Sequence, residues 1–280
     1  MKTFKLTSLA ENTTFRHNCL AQHGQSILIE VDDYKLLFDV GEVPGAVEHN
    51  LTQLGISLDD IDDVLISHRH IDHIGGLKSM LPKFDDQRLF LPLQMGESHI
   101  KNHPYKYNFL ARTDGVEHNL AISEEDSNLI NEYKNITIVD DNGFELSNSI
   151  YTTGCVGDSM KEQSVVIDQK EMGIIVVLGC SHPSVETLIK KAIEVTGNDK
   201  VRGIVGGMHY TDYDREEMRF HAENIKSMSP DFIMPGHCTT VEGCRVLSEV
   251  IGENVVLSKT GTFGTGNSVL IGEDIKVEFV

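Results

Sequence analysis

The sequence contains no C-x-x-C pair, and its five cysteines (Cys19, Cys155, Cys180, Cys238 and Cys244) are odd in number and scattered. That set offers neither a disulfide framework nor a structural zinc ribbon, and it predicts a reducing compartment. Long hydrophobic runs are missing as well. The longest purely aliphatic stretch, Ile174 to Leu178, is far too short to span a bilayer, and the opening MKTFKLTSLAENTTF lacks the apolar core of a signal peptide. A cytoplasmic location with no membrane partner is expected. Basic charge is scarce, with 24 Lys and Arg against 43 Asp and Glu and a net charge of -19. Such a surface repels phosphate backbones, which argues against nucleic acid, yet a screened local pocket can still take a small anionic substrate. No P-loop or G-x-G-x-x-G is present, so Gly75 and Gly76 read as a close turn rather than a phosphate cradle.

The 280 residues are consistent with one domain spanning 1–280. SILIEV (Ser26 to Val31) and YKLLFDV (Tyr34 to Val40) read as a hairpin of buried strands, followed by a short helix between Gly45 and Gly55. IDDVLIS reads as a strand ending at Ser67. Residues 94–135 lose periodicity and read as an insertion or lid, whose Lys101, Lys106 and Arg112, with Tyr105 and Tyr107 between them, could close over an anion or simply form a solvated loop. Order returns with ITIVD, SVVID and MGIIVVLGC as strands and a helix from Ser184 to Gly197. VRGIVGG, DFIMPGH and NVVL then read as strands, alternating with helices over Arg215 to Met228 and Val241 to Ile251. A β-rich opening followed by strand–helix alternation fits an α/β fold, a layered αββα sandwich.

The densest chemistry lies in SHRHIDHIGG, Ser67 to Gly76, directly after the apolar run Val64-Leu65-Ile66. His68 and His70, one residue apart on an extended segment, point to the same side and can grip one ion, while Asp72 and His73 reach a neighbouring position. A catalytic zinc wants about three protein ligands plus an open position, so one loop completes neither sphere. Further candidates stand where strands end: Cys180 and His182 in VVLGCSH, His209 in VGGMH and His237 in MPGHC. Each alone would more often be a packed or surface side chain. Cys180 is either a thiolate ligand or a small buried hydrophobe, the second being the preferred reading. His209 is a ligand, a proton donor, a phosphate contact or a hydrogen-bonded loop residue, and Cys238 and Cys244 are expected only to pack.

HGQSILIEVDDYKLLFDVG, SHRHIDHIGGL, GCSH, GGMH and PGHC together resemble the metallo-β-lactamase superfamily over most of the chain. Within it the sequence is similar to the subgroup that includes a dihydropterin-forming ribofuranosylaminobenzene 5'-phosphate synthase. The resemblance implies an αββα sandwich in which His68 and His70 bind one metal, Asp72 and His73 bind a second, and His237 closes the second site. His182 is the choice for the first site's third ligand. Two positions depart from commoner members: Cys155 stands where many carry a histidine, and Cys180 roughly where many carry a bridging aspartate.

One or two divalent ions are therefore expected, zinc first, with iron and manganese as alternatives. An ion of this kind lowers the pKa of water from about 16 towards 7 and supplies a nucleophile at neutral pH. With Asp72 and His209 as catalytic residues, that favours hydrolysis of an ester, thioester, lactone or phosphoester. A transferase joining a pterin methyl diphosphate to a ribofuranosylaminobenzene phosphate is the alternative the subgroup implies, and a non-catalytic metal-containing sensor or binding protein is a third. The oligomeric state is left open, a homo-oligomer included.

Overall fold

The computed structural model describes residues 2–93, 128–130, 132–158, 160–257 and 263–278, with the backbone of 106–107 and 118–119. The strands are β1 (Phe4–Ala10), β2 (Ser26–Val31), β3 (Tyr34–Phe38), β4 (Asp63–Leu65), β5 (Arg88–Pro92), β6 (Lys106–Tyr107), β7 (His118–Asn119) and β8 (Ile136–Val139) in the first half. In the second half come β9 (Phe144–Ser147), β10 (Ile150–Thr152), β11 (Val165–Asp168), β12 (Ile174–Leu178), β13 (Val201–Gly207), β14 (Phe232–Gly236), β15 (Ser268–Ile271) and β16 (Ile275–Glu278). The helices are α1 (Ala46–Gln53), α2 (Ile71–Ile74), α3 (Leu77–Met80), α4 (Val185–Thr196), α5 (Arg215–Ser227) and α6 (Thr240–Ile251).

Many of these strands are apolar on both faces, and the two faces go to different cores. In β2, Ile27, Ile29 and Val31 enter a central cluster, whereas Leu28 joins an outer one with Val47, Leu51, Leu77 and Met80. In β12, Ile175 and Val177 face the same central cluster, while Ile174, Val176 and Leu178 pack on Leu188, Ile189 and Ala192 of α4. Three stacked cores need four layers, which is the αββα sandwich. Strands buried on both sides read as unbroken hydrophobic runs. Each such Val, Leu or Ile contributes about 1.5–3 kcal/mol of burial energy.

The first sheet runs β16-β15-β1-β2-β3-β4-β5-β8 and the second β14-β13-β12-β11-β10-β9. β3, β4, β5 and β8 pair in parallel, as do β12, β13 and β14. Their carboxyl ends therefore present loops to one edge of the sandwich, where open sheets carry chemistry. Local signals hold the helices in place. Ser184 caps α4 by accepting from Thr187 N, and Asp214 and Glu217 form a capping box at α5.

Two expectations need correction or lie elsewhere. NVVL is not a strand: Val256 makes one isolated bridge to Ile233, and Val255 and Val256 serve the helix-side core while Leu257 packs on the central one. The insertion read over 94–135, with its Lys101, Lys106, Arg112, Tyr105 and Tyr107, falls largely outside the described residues. Among the described residues no helix is long and apolar enough to cross a membrane.

Candidate metal centre

Strand ends deliver the polar side chains. β3 leads to Asp39, β4 to Ser67 and His68, β12 to Cys180 and His182, β13 to His209 and β14 to His237. His70 precedes the four-residue α2, which carries Asp72 and His73. Gly75 and Gly76 form the close turn between α2 and α3 that was expected, with φ of -59° and -62°. A Cβ at either would fall 2.1 Å from Glu42 O or 2.2 Å from Val40 O, so close approach of two backbones is what demands glycine there.

Three imidazoles converge in a first cluster. His68 Nε2 lies 3.1 Å from His70 Nδ1, and His182 Nε2 lies 3.2 Å from each of them. Three nitrogens on one tetrahedral ion at about 2.0–2.1 Å would be about 3.3 Å apart, so the spacing fits a shared cation. Ser67 Oγ donates its proton to Asp39 Oδ2 at 2.8 Å and therefore accepts from His68 Nδ1 at 2.9 Å. The proton of His68 thus sits on Nδ1, and the Nε2 lone pair faces the cluster. Burial, with repulsion among the neighbouring imidazoles, holds His68 and His182 well below the usual histidine range. Burial above all lowers His70 to about 3, against the pull of Asp72. All three are neutral donors at neutral pH.

The second cluster mixes a carboxylate and a thiol with imidazoles. Asp72 Oδ2 lies 3.1 Å from His237 Nε2, and His73 Nε2 lies 3.3 Å from His237 Nε2 and 3.1 Å from Cys180 Sγ. One ligand atom from each of Asp72, His73, Cys180 and His237 falls within 4.8 Å of the others. Asp72 Oδ1 is buried and has no hydrogen-bond partner among the described residues, an expensive arrangement that a cation would relieve. Burial would neutralise Asp72, but His73 and His237 outweigh it and hold the carboxyl well below its ordinary range. Against burial, Asp39 and Asp72 raise His73 to about 9. Asp39 Oδ2 receives His73 Nδ1 at 2.7 Å, which turns Nε2 towards the cluster.

His209 sits beside both clusters. Its ring centroid is 4.2 Å from that of His182, its Nε2 is 3.1 Å from Asp212 Oδ2, and it forms a third possible ligand group with Cys180 and His182. Burial disfavours its charge, yet Cys238, Asp212 and Glu162 raise it to about 9. Cys180 is buried, as a small hydrophobe would be, but its sulfur points into the cluster rather than into an apolar core. Cys238 does more than pack, because its sulfur accepts from His209 N at 3.2 Å. Cys244 is buried among core side chains, and burial pushes its thiol up to about 12. Cys155 is outside both clusters, with its sulfur donating to Val139 O and accepting from Leu93 N.

Four residues that the spacing of motifs did not single out also build this centre. Asp39 holds Ser67 and His73; His23 Nε2 lies 3.4 Å from Asp72 Oδ2; Glu162 and Glu11 bind main-chain amides beside His182 and His237. The available signal was an acidic residue directly after a buried strand in LLFDV and SLAE, and a glutamate beside a buried run in KEQSVV.

This arrangement can be set against known proteins. Tm1679, a metal-dependent hydrolase of the β-lactamase superfamily, superposes with a TM-score of 0.69 at 21% identity, covering 96% of this chain and 98% of that one. The fold is that of the metallo-β-lactamase superfamily. A diphosphatase of the PhnP family shares this metallo-β-lactamase fold, with a TM-score of 0.57 at 13% identity over 97% of this chain and 98% of that one. In sequence, the chain is 26% identical over 285 residues to the 7,8-dihydropterin-6-methyl-4-(β-D-ribofuranosyl)-aminobenzene-5'-phosphate synthase of Methanocaldococcus jannaschii, covering 89% of this chain and 92% of that protein. The family described as anti-Pycsar protein Apyc1 matches residues 5–92, which include SHRHIDH. The αββα architecture expected from the sequence is the one observed, and the His, Asp and Cys side chains gathered at its edge suit a divalent cation.

Proposed function

We propose that the protein is a metal-dependent hydrolase acting on an ester, thioester, lactone or phosphoester of a small anionic molecule. The observation that carries this reading is the pair of adjoining ligand sets, one of three neutral imidazoles and one of Asp72, His73, Cys180 and His237. His68, His70 and His182 would hold one ion and the second set another, zinc first because thiol and imidazole suit it. Such ions, when bound, supply Lewis acidity and a hydroxide nucleophile at neutral pH. Asp72 stays ionised and orients the attacking water through its unpartnered Oδ1. His209, positively charged beside His182, draws an anionic substrate and donates a proton from its ring to the leaving oxygen. Asp39 fixes the His73 tautomer throughout.

The similarity to the Methanocaldococcus synthase over most of both chains favours a second reading, transfer between a pterin methyl diphosphate and a ribofuranosylaminobenzene phosphate. Metal-loaded protein assayed on nitrophenyl esters, thioesters, lactones and phosphodiesters separates the two. Turnover of one of these classes supports hydrolysis. Formation of the pterin adduct with no turnover of any of them overturns it.

A further inference from the structure

Two buried glutamates grip the main chain of the candidate centre. Glu162 Oε1 accepts from Ser181 N at 2.7 Å, and its Oε2 accepts from His182 N at 2.8 Å. Glu11 Oε1 accepts from His237 N at 2.6 Å, while its Oε2 receives Thr13 N at 2.8 Å and Thr13 Oγ1 at 2.9 Å. Neither glutamate belongs to any of the possible ligand groups found among the described residues. Both grips fall where the backbone is left-handed at a residue other than glycine, with φ 69° at Ser181 and 49° at His237. Such conformations persist only where the surroundings hold them.

Resting on the metal reading above, we propose that Glu162 and Glu11 are positioning residues, each aligning one half of the centre: Glu162 sets His182 in the three-imidazole cluster, and Glu11 sets His237 in the Asp72 cluster. A carboxylate is suited to this task because both of its oxygens accept. Glutamine would keep one acceptor and turn an N–H donor towards a backbone N–H. Room for the Glu162 grip comes from Gly179, where a Cβ would fall 2.9 Å from Glu162 Oε1 and 2.5 Å from Ser67 Oγ. The two grips also arise from different sheets. Glu11 follows β1 and reaches across to the end of β14, whereas Glu162 lies between β10 and β11 on the same sheet as the β12 loop it holds.

The test compares Glu162→Gln and Glu11→Gln with the unaltered protein, first metal-free by amide hydrogen exchange and then by cobalt(II) titration. Glu162→Gln should speed exchange at Ser181 and His182 and leave His237 unchanged; Glu11→Gln should do the reverse. With cobalt(II), Glu162→Gln should weaken the three-imidazole cluster about tenfold or more while keeping the Cys180 thiolate-to-cobalt absorption. Glu11→Gln should weaken the set that gives that absorption. Adding Ser181→Gly to Glu162→Gln should recover part of the lost affinity, because glycine accepts the left-handed turn unaided. Unchanged exchange, equal loss at both clusters or no rescue by glycine each overturns the proposal. Should Glu162→Gln not fold, Glu162→Asp, with both oxygens withdrawn by one methylene, takes its place with the same expected selectivity. Failure of the unaltered protein to bind cobalt would instead strike the metal reading, and the exchange comparison would still decide whether the grips act separately.

Discussion

His70 and Asp72 stand two residues apart, yet they belong to electrostatically different places. The cluster around His70 is all imidazole and is kept neutral by burial, while the cluster around Asp72 mixes carboxylate, thiol and an imidazole, His73, raised to about 9. The difference concerns protons. The first set offers lone pairs that are already bare, so an ion would enter with little proton release. The second must lose a proton from His73, and Cys180, whose thiol is raised by burial and by Cys238, must lose one to become a thiolate ligand.

His70→Ala should have the largest effect. It leaves the first cluster with two ligands, and kcat/KM should fall on the order of a thousandfold, given the several kcal/mol that metal catalysis supplies. Metal analysis should show one equivalent lost; two retained equivalents would contradict the assignment of His70. Asp72→Asn keeps the shape but removes the charge of the second cluster, and a loss of about a hundredfold in metal affinity is expected there, read by competition with a chelator. The pH dependence sharpens the contrast. His73 binds its proton up to about pH 9, so metal affinity at the second cluster should rise about tenfold per pH unit for each proton released between 7 and 9, and less steeply above 9, where only the Cys180 thiol still has a proton to lose. The first cluster should show no slope in that window, since His70 titrates near 3. Calorimetry in buffers of different ionisation enthalpy measures the proton release, and equal slopes at the two clusters would erase the distinction. The smallest effect is expected from Cys155→Ser, which should cost about 1 kcal/mol of stability in thermal melts and leave metal content unchanged, because the Cys155 sulfur lies outside both clusters and bonds to the backbone of Val139 and Leu93.

The sequence made half of the centre legible and hid the rest for a physical reason. His68, His70, Asp72 and His73 lie within six residues, so spacing alone announces a cation site. The helix ends were equally readable, because Ser184, Gly197 and Asp214 act locally. Glu11 and His237, by contrast, are 226 residues apart, and no local pattern joins them. β1 escaped notice because Lys5, Thr7 and Ser8 interrupt its apolar run, although Thr7 and Ser8 are buried. NVVL misled for the opposite reason: β-branched side chains suit a sheet, but they suit a helix-covered core as well.

The candidate ligands straddle the seam of the sandwich. His68, His70, Asp72 and His73 follow β4 of one sheet, while Cys180, His182 and His237 follow β12 and β14 of the other. All five cysteines are free thiols, so no disulfide joins the halves. A bound cation would then work as a rivet between two slabs, and chelation should part them along this edge before either slab melts.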